Sequence, residues 1–159
     1  MIGGNRRGAA TVGESGLDGI DDDLSVWERA RVLQSRAAER GFDWPDPAAV
    51  VTKLNEEVDE VLAEFEALAH DPDDTAARDR IEDEIGDLLF VAANLARHAN
   101  VDTERAMLRA NAKFERRYRL MEALAKSDGQ ALEDASLQQQ EAYWAQAKAN
   151  ERGGGGEGR

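Results

Sequence analysis

The sequence predicts an all-α protein, a helical bundle of four to five helices. Three observations carry that expectation. Apolar residues recur at helical spacing over long stretches. Ser25-x-x-Glu28, Asp46-Pro47 and Ser136-x-x-Gln139 are helix-start signatures. Runs in which Val, Ile or Thr alternate with polar residues, the mark of strands, are missing.

Taken in order, residues 1–23 are rich in Gly, Asp and Arg, lack apolar periodicity and read as a flexible tail. A folded domain is expected over 24–150, and the Gly-rich end, 151–159, reads as a second flexible tail. The first helix opens at Ser25, runs through Ala30, Leu33 and Ala37, and meets a left-handed stop at Gly41. A loop with two aromatics, Phe42-Asp43-Trp44-Pro45, precedes the second helix. That helix starts at Asp46-Pro47, continues to about Ala69 and breaks at His70-Asp71-Pro72-Asp73-Asp74. A third spans roughly Ala76 to Ala99, with Asn100 as its stop. A fourth runs from Asp102 or Thr103 to about Lys126, and a short last one passes through Trp144 and Lys148.

The 159 residues suit one domain with its own core. There is no cysteine, which excludes disulfides and thiolate metal sites. No stretch approaches the roughly 20 apolar residues of a membrane span, and no apolar segment follows Arg6-Arg7 as a secretory signal requires. A soluble cytoplasmic protein is expected. A formal charge of -13 argues against nucleic-acid and membrane partners. An anionic substrate would need a metal ion or a focused basic patch.

Glu84 breaks the pattern of the third helix. Ile81, Ile85, Leu88, Leu89, Val91, Ala92, Leu95 and Ala96 form one apolar stripe, and Glu84 projects on its flank between Val91 and Leu95, with Asp87 a turn further on. A carboxylate aimed toward a core is costly unless its charge is compensated. On the second helix, Val51, Leu54, Val58, Val61, Leu62 and Phe65 make the stripe, bordered by the row Lys53, Glu57, Glu60 and Glu64, with Glu56 just behind. Antiparallel pairing of the two helices sets Glu57 and Glu60 opposite Glu84 and Asp87. An all-oxygen donor set suits Mg²⁺, or Mn²⁺, better than Zn²⁺. A di-iron bundle is disfavoured, because Ala67 and Leu95 stand three residues before His70 and His98. Taken singly, Glu56, Asp59, Glu66 and Asp83 read as solvated surface.

The fourth helix presents Ala106, Ala110, Phe114, Met121 and Leu124, flanked by Lys113 and Arg117. Those two basic chains either lie along apolar surface or clamp phosphates. Trp144 either packs in the core or stacks on a base. Asn111 is a ligand contact or a surface amide. Trp27 and Trp44 read as packing residues, and His98 as structural.

Lys53-x-x-Glu56-Glu57-x-x-Glu60 followed by Glu84-Ile85-Gly86-Asp87-Leu88-Leu89-Phe90 resembles the signature of the MazG nucleotide pyrophosphohydrolases. The resemblance extends through Asn94–His98, Arg109–Arg117, Gly41–Pro45 and Trp144–Lys148, and so over about residues 24–148. It implies Mg²⁺-dependent hydrolysis of nucleoside triphosphates between the α and β phosphates, giving a monophosphate and pyrophosphate. It further implies Glu57, Glu60, Glu84 and Asp87 as metal ligands, and Glu56 as ligand, outer group or the base that orients water. Glu56, Glu57 and Glu84 are the implied catalytic set; Lys53, Asn111, Lys113, Arg117 and Trp144 are the candidates for binding substrate. The family is built from dimers, so a homodimer or a dimer of dimers is expected to complete the bundle. Many bacterial members carry two tandem copies of the domain, and this sequence has the expected length of one. Two rivals stay open: a relative with a narrower substrate (dUTP, dCTP or phosphoribosyl-ATP), and a non-enzymatic helical protein that binds cations and partners.

Overall fold

The computed structural model describes residues 15–153. Among them are five α-helices and no strand: α1 (Val26–Glu39), α2 (Pro47–His70), α3 (Ala77–His98), α4 (Thr103–Ser127) and α5 (Leu137–Gly153), with a 3-10 turn at Leu132–Asp134. The all-α class is as expected. The tail expectations for residues 1–14 and 154–159 lie outside the described residues. The chain divides into two compact units, Met1–Thr103 and Glu104–Arg159.

In the first unit, residues 15–24 form turns tied to α1, where the Arg29 guanidinium donates to the Asp21 carbonyl and to Asp22 Oδ1, both at 3.1 Å. The Ser25–Glu28 box forms reciprocally, each side chain accepting from the other residue's backbone N–H at 3.3 Å. Gly41 takes the left-handed conformation (φ 89°) that ends α1, and Asn100 (φ 53°) does the same after α3. Asp46 Oδ1 accepts from the Ala49 N–H at 2.9 Å with Pro47 at the first helical position.

Helices α2 and α3 pack together, and α1 packs on α3. The α2–α3 pair is antiparallel: Arg80 Nε meets Glu64 at 2.8 Å, while four residues later Glu84 meets Glu60 and Glu57. Arg80 also reaches Asp74 at 2.8 Å, clamping the connecting turn. On the other side, Gln34 Nε2 donates to the Phe90 carbonyl at 2.7 Å, joining α1 to α3.

The buried residues of this unit are Val50, Ala77, Val91 and Ala93, together with Gln34, Glu57 and Asn94. This differs from the expected apolar stripes. On α2, Val51, Val58, Leu62 and Phe65 stay exposed, and on α3 so do Ile85 and Leu89. The physical reason lies at the seam: Arg80 and Glu84, on the flank of the α3 stripe, meet Glu64, Glu60 and Glu57 of α2, so the acidic borders face one another.

The second unit buries Met121 and Ala125 of α4, Leu132 and Ala135 of the turn, and Tyr143 and Ala147 of α5, with Leu120, Leu124 and Trp144 packed against them. Ser136 and Gln139 make the expected box, at 2.9 and 3.3 Å. Helix α5 continues to Gly153, beyond the end near Lys148 that the sequence suggested. Of the expected α4 face, Met121 is buried and Leu124 partly so, while Ala106, Ala110 and Phe114 are exposed.

Candidate active site

The seam between α2 and α3 brings Glu57, Glu60 and Glu84 together, with one carboxylate oxygen of each within 4.8 Å of the others. Helical spacing explains it. Glu57 and Glu60 are three apart and share a face, and the antiparallel register lays Glu84 across from both. Glu57 is 3% exposed, an unusual state for a carboxylate. Its Oε1 accepts from Lys53 Nζ at 2.7 Å, but its Oε2 is buried with no hydrogen-bond partner.

Lys53 also lies 3.6 Å from Glu56 and 3.9 Å from Glu60. The hydrogen bond to Glu57, reinforced by the charges of Glu57, Glu60 and Glu56, raises the lysine pKa and outweighs partial desolvation. Glu84 has no such relief. Its pKa is raised, first by desolvation and then by the charges of Glu60, Asp87, Glu57 and Glu64. Asp87 is exposed and contributes to that field, but it is not one of the three residues whose oxygens converge. Glu56 is exposed at the edge of the cluster.

The donor set fits a hard divalent ion. All three converging groups are carboxylates, and an orphaned buried oxygen is what a metal would satisfy. Ligands of an octahedral Mg²⁺ stand about 3.0 to 4.2 Å apart at the usual bond length of about 2.1 Å, so the three side chains would draw together to share one ion. Glu64, the next member of the row, is already held by Arg80.

In the second unit the structure joins Arg117 to Trp144. The guanidinium lies 5.4 Å from the indole centroid and donates through Nε to Glu151 Oε2 at 2.7 Å. Arg116 reaches the other oxygen of Glu151 at 3.3 Å. Phe114 packs tilted against Trp144 at 5.7 Å and stacks with Tyr118 at 6.0 Å. Lys113 and Asn111 project from α4 as exposed side chains. Arg117 pulls the Glu151 pKa down, by hydrogen bond and charge, against the opposing effect of desolvation.

Sequence reasoning missed a polar network in the first unit. Asp43 accepts a hydrogen bond from Arg97, whose Nη2 also donates to Asn94 Oδ1 at 3.0 Å, and His98 Nε2 lies 3.4 Å from Asp43. Desolvation works to raise the Asp43 pKa, but Arg97, the Trp44 N–H and His98 together lower it. Nearby, Leu33, Gln34, Phe42, Trp44, Phe90 and Asn94 line a cavity of about 200 Å³. The available signal was the polarity of Asn94, which follows Asp87 by two helical turns and so shares its face. Glu151 was missed because the sequence around it reads as tail.

Residues 46–133 match the family model described as the MazG nucleotide pyrophosphohydrolase domain. The chain is 39% identical over 137 residues to a nucleoside triphosphate pyrophosphohydrolase of Escherichia coli, an alignment covering 86% of this chain and 50% of that protein. It is also 39% identical over 122 residues to the nucleoside triphosphate pyrophosphohydrolase/pyrophosphatase MazG of Thermotoga maritima, covering 77% and 44% respectively. The chain thus spans about half the length of the curated relatives it matches. A family model that matches more than half of the sequence and frames the acidic seam makes the assignment plain: this chain belongs to the MazG nucleotide pyrophosphohydrolase domain family.

Proposed function

We propose that this chain hydrolyses nucleoside triphosphates between the α and β phosphates, yielding a nucleoside monophosphate and pyrophosphate with Mg²⁺ as the cofactor. The observation that carries the reading is the convergence of the Glu57, Glu60 and Glu84 carboxylates, one of which, Glu57, also holds a buried oxygen that lacks a partner. The activities for which the relatives are named support the substrate class.

Glu57, Glu60 and Glu84, with Asp87 a turn away, would hold the divalent ion. When bound, the ion supplies Lewis-acid polarisation of the α-phosphoryl group and offsets its developing charge. Glu56, exposed beside the cluster, orients a water and takes its proton as the oxygen adds to the α-phosphorus and the α–β bond breaks. Lys113 and Arg117 stabilise the departing pyrophosphate by charge, Arg117 through its planar fork. Asn111 is a further contact, and Trp144 offers a ring face to the base.

A homodimer or dimer of dimers belongs to the same reading. Val51, Val58, Leu62 and Phe65 on α2 and Ile85 and Leu89 on α3 are between 38% and 54% exposed, apolar surface of the kind that monomeric proteins rarely leave to water. A cytoplasmic setting, where nucleotides and Mg²⁺ are both available, completes it; no helix of the described residues is long and apolar enough to cross a membrane.

The test is product analysis over a panel of ribo- and deoxynucleoside triphosphates, with dUTP, dCTP and phosphoribosyl-ATP included. Equimolar monophosphate and pyrophosphate is the expected result. Release of orthophosphate, or no turnover of any member with Mg²⁺ or Mn²⁺, would sink the proposal.

A further inference from the structure

The acidic row along α2 meets two kinds of cation, Lys53 of α2 itself and Arg80 of α3, and they are held differently. Arg80 closes on Glu64 and Asp74 with contacts of 2.8 Å to each, a two-point clamp by a planar group. Lys53 presents a single ammonium to three carboxylates, close to Glu57 at 2.7 Å and looser to Glu56 and Glu60 at 3.6 and 3.9 Å. Two of those three, Glu57 and Glu60, belong to the trio that converges with Glu84. The same carboxylates are therefore courted by the chain's own ammonium and by any divalent ion at the seam. Lys53 is one-third exposed, and its stem is flexible enough to swing outward.

We infer that Lys53 is a tethered competitor for the divalent ion: it keeps the affinity for free Mg²⁺ low, so that the ion is taken up together with the triphosphate rather than stored at the seam. Two charges of the same sign within a few ångströms, in a partly desolvated setting, oppose each other far more than in bulk water. A triphosphate reverses the balance, because its own negative charge attracts both the ion and the lysine. The inference rests on the metal site proposed above, and it concerns the order and strength of uptake rather than the bond cleaved.

The experiment is calorimetric titration of the full chain with MgCl₂ alone, then with an α,β-methylene nucleoside triphosphate present, for wild type and Lys53→Met. Melting curves in chelator confirm that the variant is folded. Lys53→Met is expected to bind free Mg²⁺ about tenfold tighter or more. The gain from adding the nucleotide analogue should shrink in the variant. Lys53→Arg, which keeps the charge and adds a fork, should bind free Mg²⁺ no more tightly than wild type and serves as the reporter if the Met variant does not fold. Equal or weaker free-ion binding by folded Lys53→Met would overturn the competition and make Lys53 a support for Glu57 instead. Tighter binding by Lys53→Arg would overturn it too. Absence of saturable metal binding in every protein, with nucleotide present, would remove the metal site itself and this inference with it.

Discussion

The two compact units bury opposite kinds of chemistry. In the second, Tyr143 is the polar group within the core, and it is closed on both sides: its hydroxyl donates to Asp128 Oδ2 at 2.8 Å and accepts from Gln130 Nε2 at 3.1 Å. Its other buried members are Met, Ala and Leu. In the first unit, three of the buried residues are Gln34, Glu57 and Asn94, and both Gln34 Oε1 and Glu57 Oε2 lack a partner. A satisfied core is built for stability. A buried acceptor with nothing to accept is a standing cost, tolerated where a ligand repays it.

That contrast can be broken most severely at Glu84. Replacing it with Gln is expected to lower pyrophosphate release by about two to three orders of magnitude. Stability should move the other way in chelator, because the neutral amide removes repulsion. The sign follows from the raised pKa of Glu84. Its contribution to stability is complete below the ordinary value of 4.5 and is lost as pH rises through the higher folded value. Melting of metal-free wild type should therefore fall relative to Glu84→Gln as pH climbs through that window and stay lower above it. Parallel pH profiles for the two proteins would refute the account.

The next largest effect belongs to the second unit. Met121→Ala removes a buried side chain and should cost about 2 to 3 kcal/mol, while leaving the Mg²⁺ titration of the first unit unchanged. Calorimetry with and without metal separates the two outcomes. Tyr143→Phe is milder; it strands Asp128 and Gln130 at a partly wet edge and should lower the melting temperature by about 4 °C. The smallest effect is expected at Glu115, which pairs with Arg119 four residues on, with both side chains mostly exposed. Glu115→Gln should change stability by less than about 0.5 kcal/mol. A larger loss in chemical denaturation would mean that this exposed pair is built into something more.

Local features were legible in the sequence. The helix starts at Ser25, Asp46 and Ser136, and the stops at Gly41 and Asn100, depend on residues within one turn of each other, and all five form. The acidic seam was legible because a row of like charges along an apolar border is costly on an isolated helix. The rotation of α3 about its own axis was not. Periodicity locates a stripe, but which edge of it meets a neighbour depends on how two surfaces fit, and here Arg80 and Glu84 reach α2 while Ile85 and Leu89 of the stripe stay exposed. The partnership of Arg117 with Glu151 was hidden for a related reason: it joins residues 34 positions apart, one of them beside a run of glycines that suggested no structure.

The clamp at the closed end of the α2–α3 hairpin works like the pivot of a pair of calipers. Arg80, gripping Glu64 and Asp74, fixes where the jaws stand, and the carboxylates meet one turn further along. A single residue inserted between Arg80 and Glu84 would swing everything beyond the pivot by about 100°. Every acidic side chain would survive in the sequence, and the jaws would no longer close on the same point.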